Sequence, residues 1–184
     1  MTPDEFIDVA MSSPANAMLL SRLPALDLSE CYLTAGCLFQ PVWNRALGWA
    51  ADHGIRDYDV LYYDARDLSW DAEDDVIRRV AAITDDLGIR VQTRNQARVH
   101  LWYEQRFGFH CPELTSTRDG IDRFLISCTC VGIDVADKRL YAPNGLQDLD
   151  DGVLRMNPIN PQPVLFRRKA VDYQSRWPLL TIAN

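Results

Sequence analysis

Apolar positions recur along this chain with two periods, and their alternation predicts the order of its elements. Thr2-Pro3-Asp4-Glu5 fits a capping box with proline at the first helical position, and Ser13-Pro14 restarts the pattern. The first twenty-odd residues therefore read as two short helices, the second closed by Pro24. The apolar run 31–35 reads as a strand ending at Gly36, and 39–51 as a helix whose ends are blurred by Pro41 and Gly48. Residues 57–63 form the clearest strand, with tyrosine, valine and leucine packed around two acids. Ser69 then caps a helix with Asp71, Glu73 and Asp74 in its first turns, where anions suit the helix dipole. Its buried stripe is Val76, Ile77, Val80, Ile83 and Leu87, and Gly88 stops it. A strand over 89–93, a helix over 95–107 stopped by Gly108, a short helix capped at Ser116 and a strand over 125–133 follow. From Tyr141 onward, prolines at 143, 158, 161, 163 and 178 predict a loop-rich, extended stretch.

Strands alternating with helices give an α/β layout. At 184 residues and 47% hydrophobic content the chain can bury a core without disulfide or metal staples, as a single domain over 1–184. Nothing approaches the roughly 18 apolar residues of a membrane span. The acidic N-terminus lacks the basic start of a signal peptide, and five cysteines without paired spacing suit a reducing cytoplasm. The net charge of −7 is unevenly spread: residues 1–92 hold 16 acids and 7 bases, residues 93–184 hold 10 acids and 12 bases. Such an excess of acid argues against a protein that coats duplex nucleic acid. Seventeen of the 19 bases are arginine. One reading of that bias is arginine codon preference in a GC-rich genome; the other is phosphate or carboxylate recognition.

Asp57-Tyr58-Asp59 is the first candidate for chemistry. Alternation puts Asp57, Asp59, Leu61 and Tyr63 on one strand face, the two acids roughly 6.5–7 Å apart at their Cα atoms. Burying two like charges side by side is costly unless a cation or a proton relieves them, and Mg²⁺ (or Mn²⁺) takes one or two carboxylates and completes its shell with phosphates and water. The spacing alone carries little, because Asp148-Leu149-Asp150 repeats it in a polar run; the hydrophobic strand around the first pair sets it apart. The second candidate is Thr34-Ala35-Gly36-Cys37, where a glycine turn lets backbone approach a phosphate and the next helix offers free amides, although the same glycine also serves a plain strand-to-helix turn. The third is 95–103. There Asn95 and Arg98 follow the strand that should border the site and can contact phosphate. Arg98 and Trp102 share a helical face, as do His100 and Glu104; in the alternative reading Val99, Trp102, Tyr103 and Phe107 are core and His100 merely pairs with Glu104. A cysteine nucleophile built from Cys37 and His100 is a lesser alternative. Arg167-Arg168-Lys169 reads as surface, Cys128 and Cys130 as small hydrophobes, and Trp177-Pro178 as a C-terminal clasp.

An apolar strand, a glycine turn and Asp-x-Asp on a second strand resemble the nucleotidyltransferase superfamily that includes polymerase β. The chain is more closely similar to a bacterial nucleotidyltransferase-like family of unassigned function. That resemblance rests on Ala35-Gly36, Val42-Trp43-Asn44, Asp57-Tyr58-Asp59-Val60, Tyr63-Asp64, the run from Asn95 to Tyr103, the run from Ala142 to Leu149, Asn157-Pro158 and Arg176-Trp177-Pro178. It implies a nucleotidyltransferase-like mixed sheet flanked by helices, with a loop-rich C-terminal extension. It further implies a triphosphate held at Gly36 and Cys37, Mg²⁺ at Asp57 and Asp59, and a third acid on a later strand. Two departures stand out: Cys37 replaces the usual serine or glycine, and Gln92 occupies the place of the third carboxylate. Asp64 lies on the opposite strand face from the pair. The expectation is Mg²⁺-dependent transfer from a nucleoside triphosphate to an unspecified hydroxyl acceptor. The alternative is a nucleotide-binding sensor or interaction module that has lost catalysis.

Overall fold

The computed structural model of the chain describes residues 1–183. α1 (Pro3–Met11) begins with the capping box, Thr2 Oγ1 accepting from the Glu5 amide at 3.2 Å. α2 (Pro14–Arg22) is capped by Ser13, and a short 3₁₀ turn over Leu23–Leu26 leads to β1 (Tyr32–Thr34). α3 (Gly36–Ala46), β2 (Tyr58–Tyr62), α4 (Trp70–Thr84) and β3 (Val91–Asn95) follow. Past a 3₁₀ segment over Gln96–Leu101 come the short helices α5 (Tyr103–Phe107) and α6 (Thr117–Asp122), then β4 (Gly132–Asp134) and β5 (Leu140–Tyr141). α7 (Gln147–Asp150), β6 (Val153–Leu154), α8 (Pro163–Arg176) and β7 (Thr181–Ile182) complete the order.

The main sheet runs β3-β2-β1-β4-β5. Only β2 and β3 are parallel within it, since α4 carries the chain back between them, as a parallel pair requires. Alternation assigns the two faces. Tyr58, Val60 and Tyr62 of β2, with Leu33 and Ile133, enter the main core with Phe6, Leu19, Phe39, Trp43, Val80 and Trp177. Tyr32 and Leu61 face the other way, under Ile121, Cys130 and Phe124. Asp57, Asp59, Gln92 and Arg94 share that second face by strand period.

Several boundaries differ from the sequence reading, for local reasons. The helix expected over 39–51 starts at Gly36 and continues through Pro41. Proline lacks the N–H that would bond the carbonyl four residues back, here that of Cys37. Asn16 replaces it: its Nδ2 donates to the Cys37 oxygen at 2.7 Å and to the Ala10 oxygen at 2.8 Å. The helix expected over 95–107 is divided, because β3 runs on to Asn95 and its side chain caps the following 3₁₀ turn at the Ala97 amide, 3.1 Å away. The strand expected over 125–133 is interrupted by a 3₁₀ turn at Ser127–Thr129, and the paired strand is Gly132–Asp134. The stretch after Tyr141 is loop-rich as far as Gln162 but then holds the 14-residue α8. Pro163 sits in the first turn, where proline is favoured, rather than breaking the helix. Phe166, Ala170 and Tyr173 form its buried stripe, spaced four and three residues apart, and Trp177 is buried just past its end.

Trp177 closes the C-terminus as the clasp expected of it. It is 1% exposed, its indole N–H donates to Asn44 Oδ1 at 2.7 Å, and Asn44 in turn donates to the carbonyls of Ala51 and His53. No helix of the described residues is long and apolar enough to cross a membrane.

Asn16→Ala leaves the Cys37 carbonyl buried without a donor in mid-helix. The expected loss is about 2–3 kcal/mol, from two buried hydrogen bonds and one orphaned acceptor, read as a lower urea midpoint at unchanged slope.

Candidate active site

The site grows from the end of β1. Thr34 pairs with Asp59 and its hydroxyl donates to the Val131 carbonyl at 2.6 Å, which anchors the strand end. The next residue, Ala35, has φ 64° and ψ −145°, a backbone conformation that glycine adopts freely and alanine does not. This strained turn delivers Gly36 as the first residue of α3, whose opening amides have no acceptor within the helix. A Cβ at Gly36 would meet the end of the Gln40 side chain, which would have to move aside.

Beside this turn, β2 presents its acids. Asp59 lines a cleft of ≈ 700 Å³ together with Ala35, Phe39, Leu61, Gln92 and Arg94. Asp57 precedes the first paired residue of β2, and the Gln92 amide donates to its carboxylate. Burial and the neighbouring charge of Asp57 push the Asp59 carboxyl up to about 6, against the pull of Lys169, Arg94 and Arg90. The pair is thus incompletely neutralised by the protein itself. Such a pair fits a hard cation that takes one or two carboxylates and finds its other ligands in phosphate and water. No group of three or more histidine, cysteine, aspartate or glutamate side chains able to hold a metal occurs among the described residues. The residue facing Asp59 across the β2–β3 ladder is Gln92, as its register shows.

The other sequence candidates are placed as follows. Cys37 is fully buried; its thiol donates to the Thr34 carbonyl at 3.1 Å, and burial with the nearby Asp59 charge pushes it well above the ordinary thiol range. A thiol so protonated is no nucleophile, and only its backbone amide remains for a ligand. Asn95 and Arg98 are not brought to the acid pair. Arg98, 8% exposed, pairs with buried Glu73, donates to the Leu68 carbonyl at 2.8 Å and lies over the Trp70 ring. Asn95 Oδ1 accepts from the amides of Asp64 and Ala97, its Nδ2 donates to the Asp64 carbonyl, and its own amide donates to Glu73. Their polar groups are spent on pinning β3 to α4. Glu104 is near His110 rather than His100, at 3.8 Å, and Asp64 is clamped by Arg66 at 2.7 Å.

Residues that the sequence reading passed over complete the cleft. α8 contributes Arg168, Lys169, Asp172 and Tyr173, so part of the run read as surface lines the site. Lys169 lies over the Tyr173 ring, and Tyr173 packs edge-on to Phe39 and Trp43. The periodic stripe of α8 was the signal that could have placed them. Trp102 and Tyr103, from the third sequence candidate, line the same cleft together with Arg106 and Phe107.

An antiparallel strand pair, a glycine turn into a helix and two acids on the open sheet face define a nucleotidyltransferase-type head. A solved structure described as "The NMR structure of the protein reveals a CCA-adding enzyme head domain" superposes with a TM-score of 0.78 at 22% identity, covering 100% of this chain and 96% of that chain. The sequence model of the family described as Nucleotidyltransferase matches residues 21–182, and the chain belongs to that family. No curated protein matches it.

The Asp59 carboxyl is raised above its ordinary 3.8, so the folded state holds that proton more tightly than the unfolded chain. Its contribution is most favourable below about pH 4 and is lost as pH climbs through about 6. Asp59→Asn is therefore expected to melt progressively higher than the parent protein as pH rises across that window, by a few degrees at pH 7.5. The two should converge near pH 4. Paired thermal melts without divalent metal check it.

Proposed function

We propose that the cleft transfers a nucleotidyl group from a nucleoside triphosphate to a hydroxyl acceptor with the help of Mg²⁺ or Mn²⁺. The observation that carries the reading is the incompletely neutralised pair Asp57 and Asp59, on an open sheet face beside the free amides that begin α3. Asp57 and Asp59 would hold the metal; when bound, it supplies charge neutralisation for the leaving pyrophosphate and the attacking oxygen. The amides of Gly36 and Cys37 receive phosphate oxygens, aided by the positive end of α3. Lys169 and Arg168 add positive charge from α8, offsetting the four negative charges of a triphosphate against the two acids. The acceptor oxygen bonds to the α-phosphorus as the bond from that phosphorus to the bridging oxygen breaks. Pyrophosphate leaves with the electron pair, and the hydroxyl proton passes to water. Phe39 and Tyr173 line the same cleft and limit the water that reaches the reacting phosphorus.

Gln92 favours a second reading, a nucleotide-responsive module without turnover. It stands where a third carboxylate would serve a second metal, and its amide is already committed to Asp57.

The two are separated by following α-³²P label from each common nucleoside triphosphate into small-molecule, protein and RNA fractions. The first reading expects Mg²⁺-dependent transfer, cut at least about a hundredfold in Asp57→Asn with an unchanged circular dichroism spectrum. Triphosphate-dependent stabilisation without label transfer supports the second, and neither response to Mg²⁺ or Mn²⁺ defeats both. Gln92→Glu is expected to lower the melting temperature of the metal-free protein by several degrees, since it places a third charge against Asp57 and Asp59. Mn²⁺ is expected to restore it.

A further inference from the structure

The strand register gives the cleft a direction. β1 runs antiparallel to β2 with Thr34 opposite Asp59, so the turn at Ala35 and Gly36 leaves the sheet at the Asp57 end of the acid pair. β3 runs parallel to β2 with Gln92 opposite Asp59 and Arg94 opposite Leu61, so Arg94 lies at the other end. Arg94 is two residues beyond Gln92 on the same face, roughly 6.5–7 Å along the strand, with Asp59 between it and the glycine turn. In phosphoryl-group transfer the attacking and leaving oxygens lie roughly in line across the phosphorus. With the pyrophosphate at the glycine turn, the acceptor enters from the Leu61 and Arg94 end.

That end is built for more than a bare hydroxyl. Arg94 is half-buried on the cleft floor. Its guanidinium makes one hydrogen bond, to the Thr93 carbonyl at 2.8 Å, and has no ion-pair partner among the described residues. Among the described residues Arg45, Arg79, Arg90, Arg106, Arg118, Arg167 and Arg168 also lack a carboxylate partner, but all of these are exposed. The other buried or half-buried arginines, Arg22, Arg98, Arg123 and Arg176, are each paired. A guanidinium fork held at a cleft floor with its remaining donors unspent fits a planar carboxylate or a phosphate. Around it, Leu61, Val99, Trp102 and Tyr103 line an apolar, partly aromatic wall.

We infer that Arg94 is the acceptor-selecting residue of this cleft, and that the acceptor is a small molecule with a hydroxyl, an anionic phosphate or carboxylate group and an apolar or flat body. A small acceptor is inferred from the size of the cleft, ≈ 700 Å³, which is in the range of small-molecule sites. The inference rests on the nucleotidyltransferase reading, which fixes the end of the cleft that the triphosphate occupies.

The test uses the full chain, ¹⁵N-labelled and saturated with Mg²⁺ and the α,β-methylene analogue of whichever common triphosphate stabilises it most. Orthophosphate and, separately, acetate are titrated in at ionic strength matched with NaCl. The expected result is a saturable shift of the Arg94 Nε–Hε signal and of β3 amides with at least one of the two anions. The responding anion tells phosphate-bearing from carboxylate-bearing acceptors. Arg94→Met should weaken that response at least about tenfold while triphosphate binding is retained, and Arg94→Lys, which keeps the charge without the fork, should fall between. Shifts confined to Gly36–Phe39, an unchanged midpoint in Arg94→Met, or a change in metal affinity alone would each overturn the assignment, the last making Arg94 a partner of Asp59. A wild-type chain that binds no triphosphate overturns the underlying nucleotidyltransferase reading and this inference with it.

Discussion

Two carboxylates on one face of a single strand, without enough cation from the protein to neutralise them, are the constraint around which this molecule is organised. The period of two in β2 makes it unavoidable: burying Tyr58, Val60 and Tyr62 against the helices turns Asp57 and Asp59 to the opposite face. Leaving them there raises the Asp59 carboxyl to about 6, an energetic cost in the free protein that a bound cation would remove. The strain at Ala35 is a second cost in the same place, carried so that Gly36 can open α3 beside the acids. Costs gathered at one spot and offset by packing elsewhere are the usual physical mark of a working site.

The surrounding scaffold is stiff where the site needs it. Trp43, Tyr173 and Trp177 stack on one another, with Phe39 against the first two, locking α8 onto α3. The buried Arg98–Glu73 pair, with Asn95 bonded on all sides, fixes the junction of β3 and α4. Breaking one partner of such a pair would strand a charge in the interior, so its value is in holding the geometry of β3 and with it the positions of Gln92 and Arg94. The family membership and the match to a nucleotidyltransferase head describe the same frame.

Much of the frame was legible in the residues because it is set by local rules. Helix starts at Thr2, Ser13, Ser69 and Ser116 are marked by capping side chains; a left-handed glycine ends α5 at Gly108, and another, Gly88, ends the 3₁₀ turn over Asp85–Leu87 that follows α4. The facing of Asp57 and Asp59 follows from alternation alone, and the glycine turn from its place after an apolar run. α8 was hidden by counting prolines without their positions, since Pro163 and Pro178 bracket a helix that neither interrupts.

The amino-acid order by itself determined which residues share a strand face, where helices begin and end, and that acids and a glycine turn lie near each other, because each depends on neighbours within a few positions. Only the tertiary structure decided which polar groups stay available. Arg98 lost its chance at a ligand to Glu73, 25 residues away, and Asn95 to the backbone around Asp64. Lys169 and Arg94, undistinguished in the sequence, came to stand around the acids. A charged side chain is free or spent according to which opposite charge the fold brings within reach, and that distance is set by packing between elements far apart in the chain.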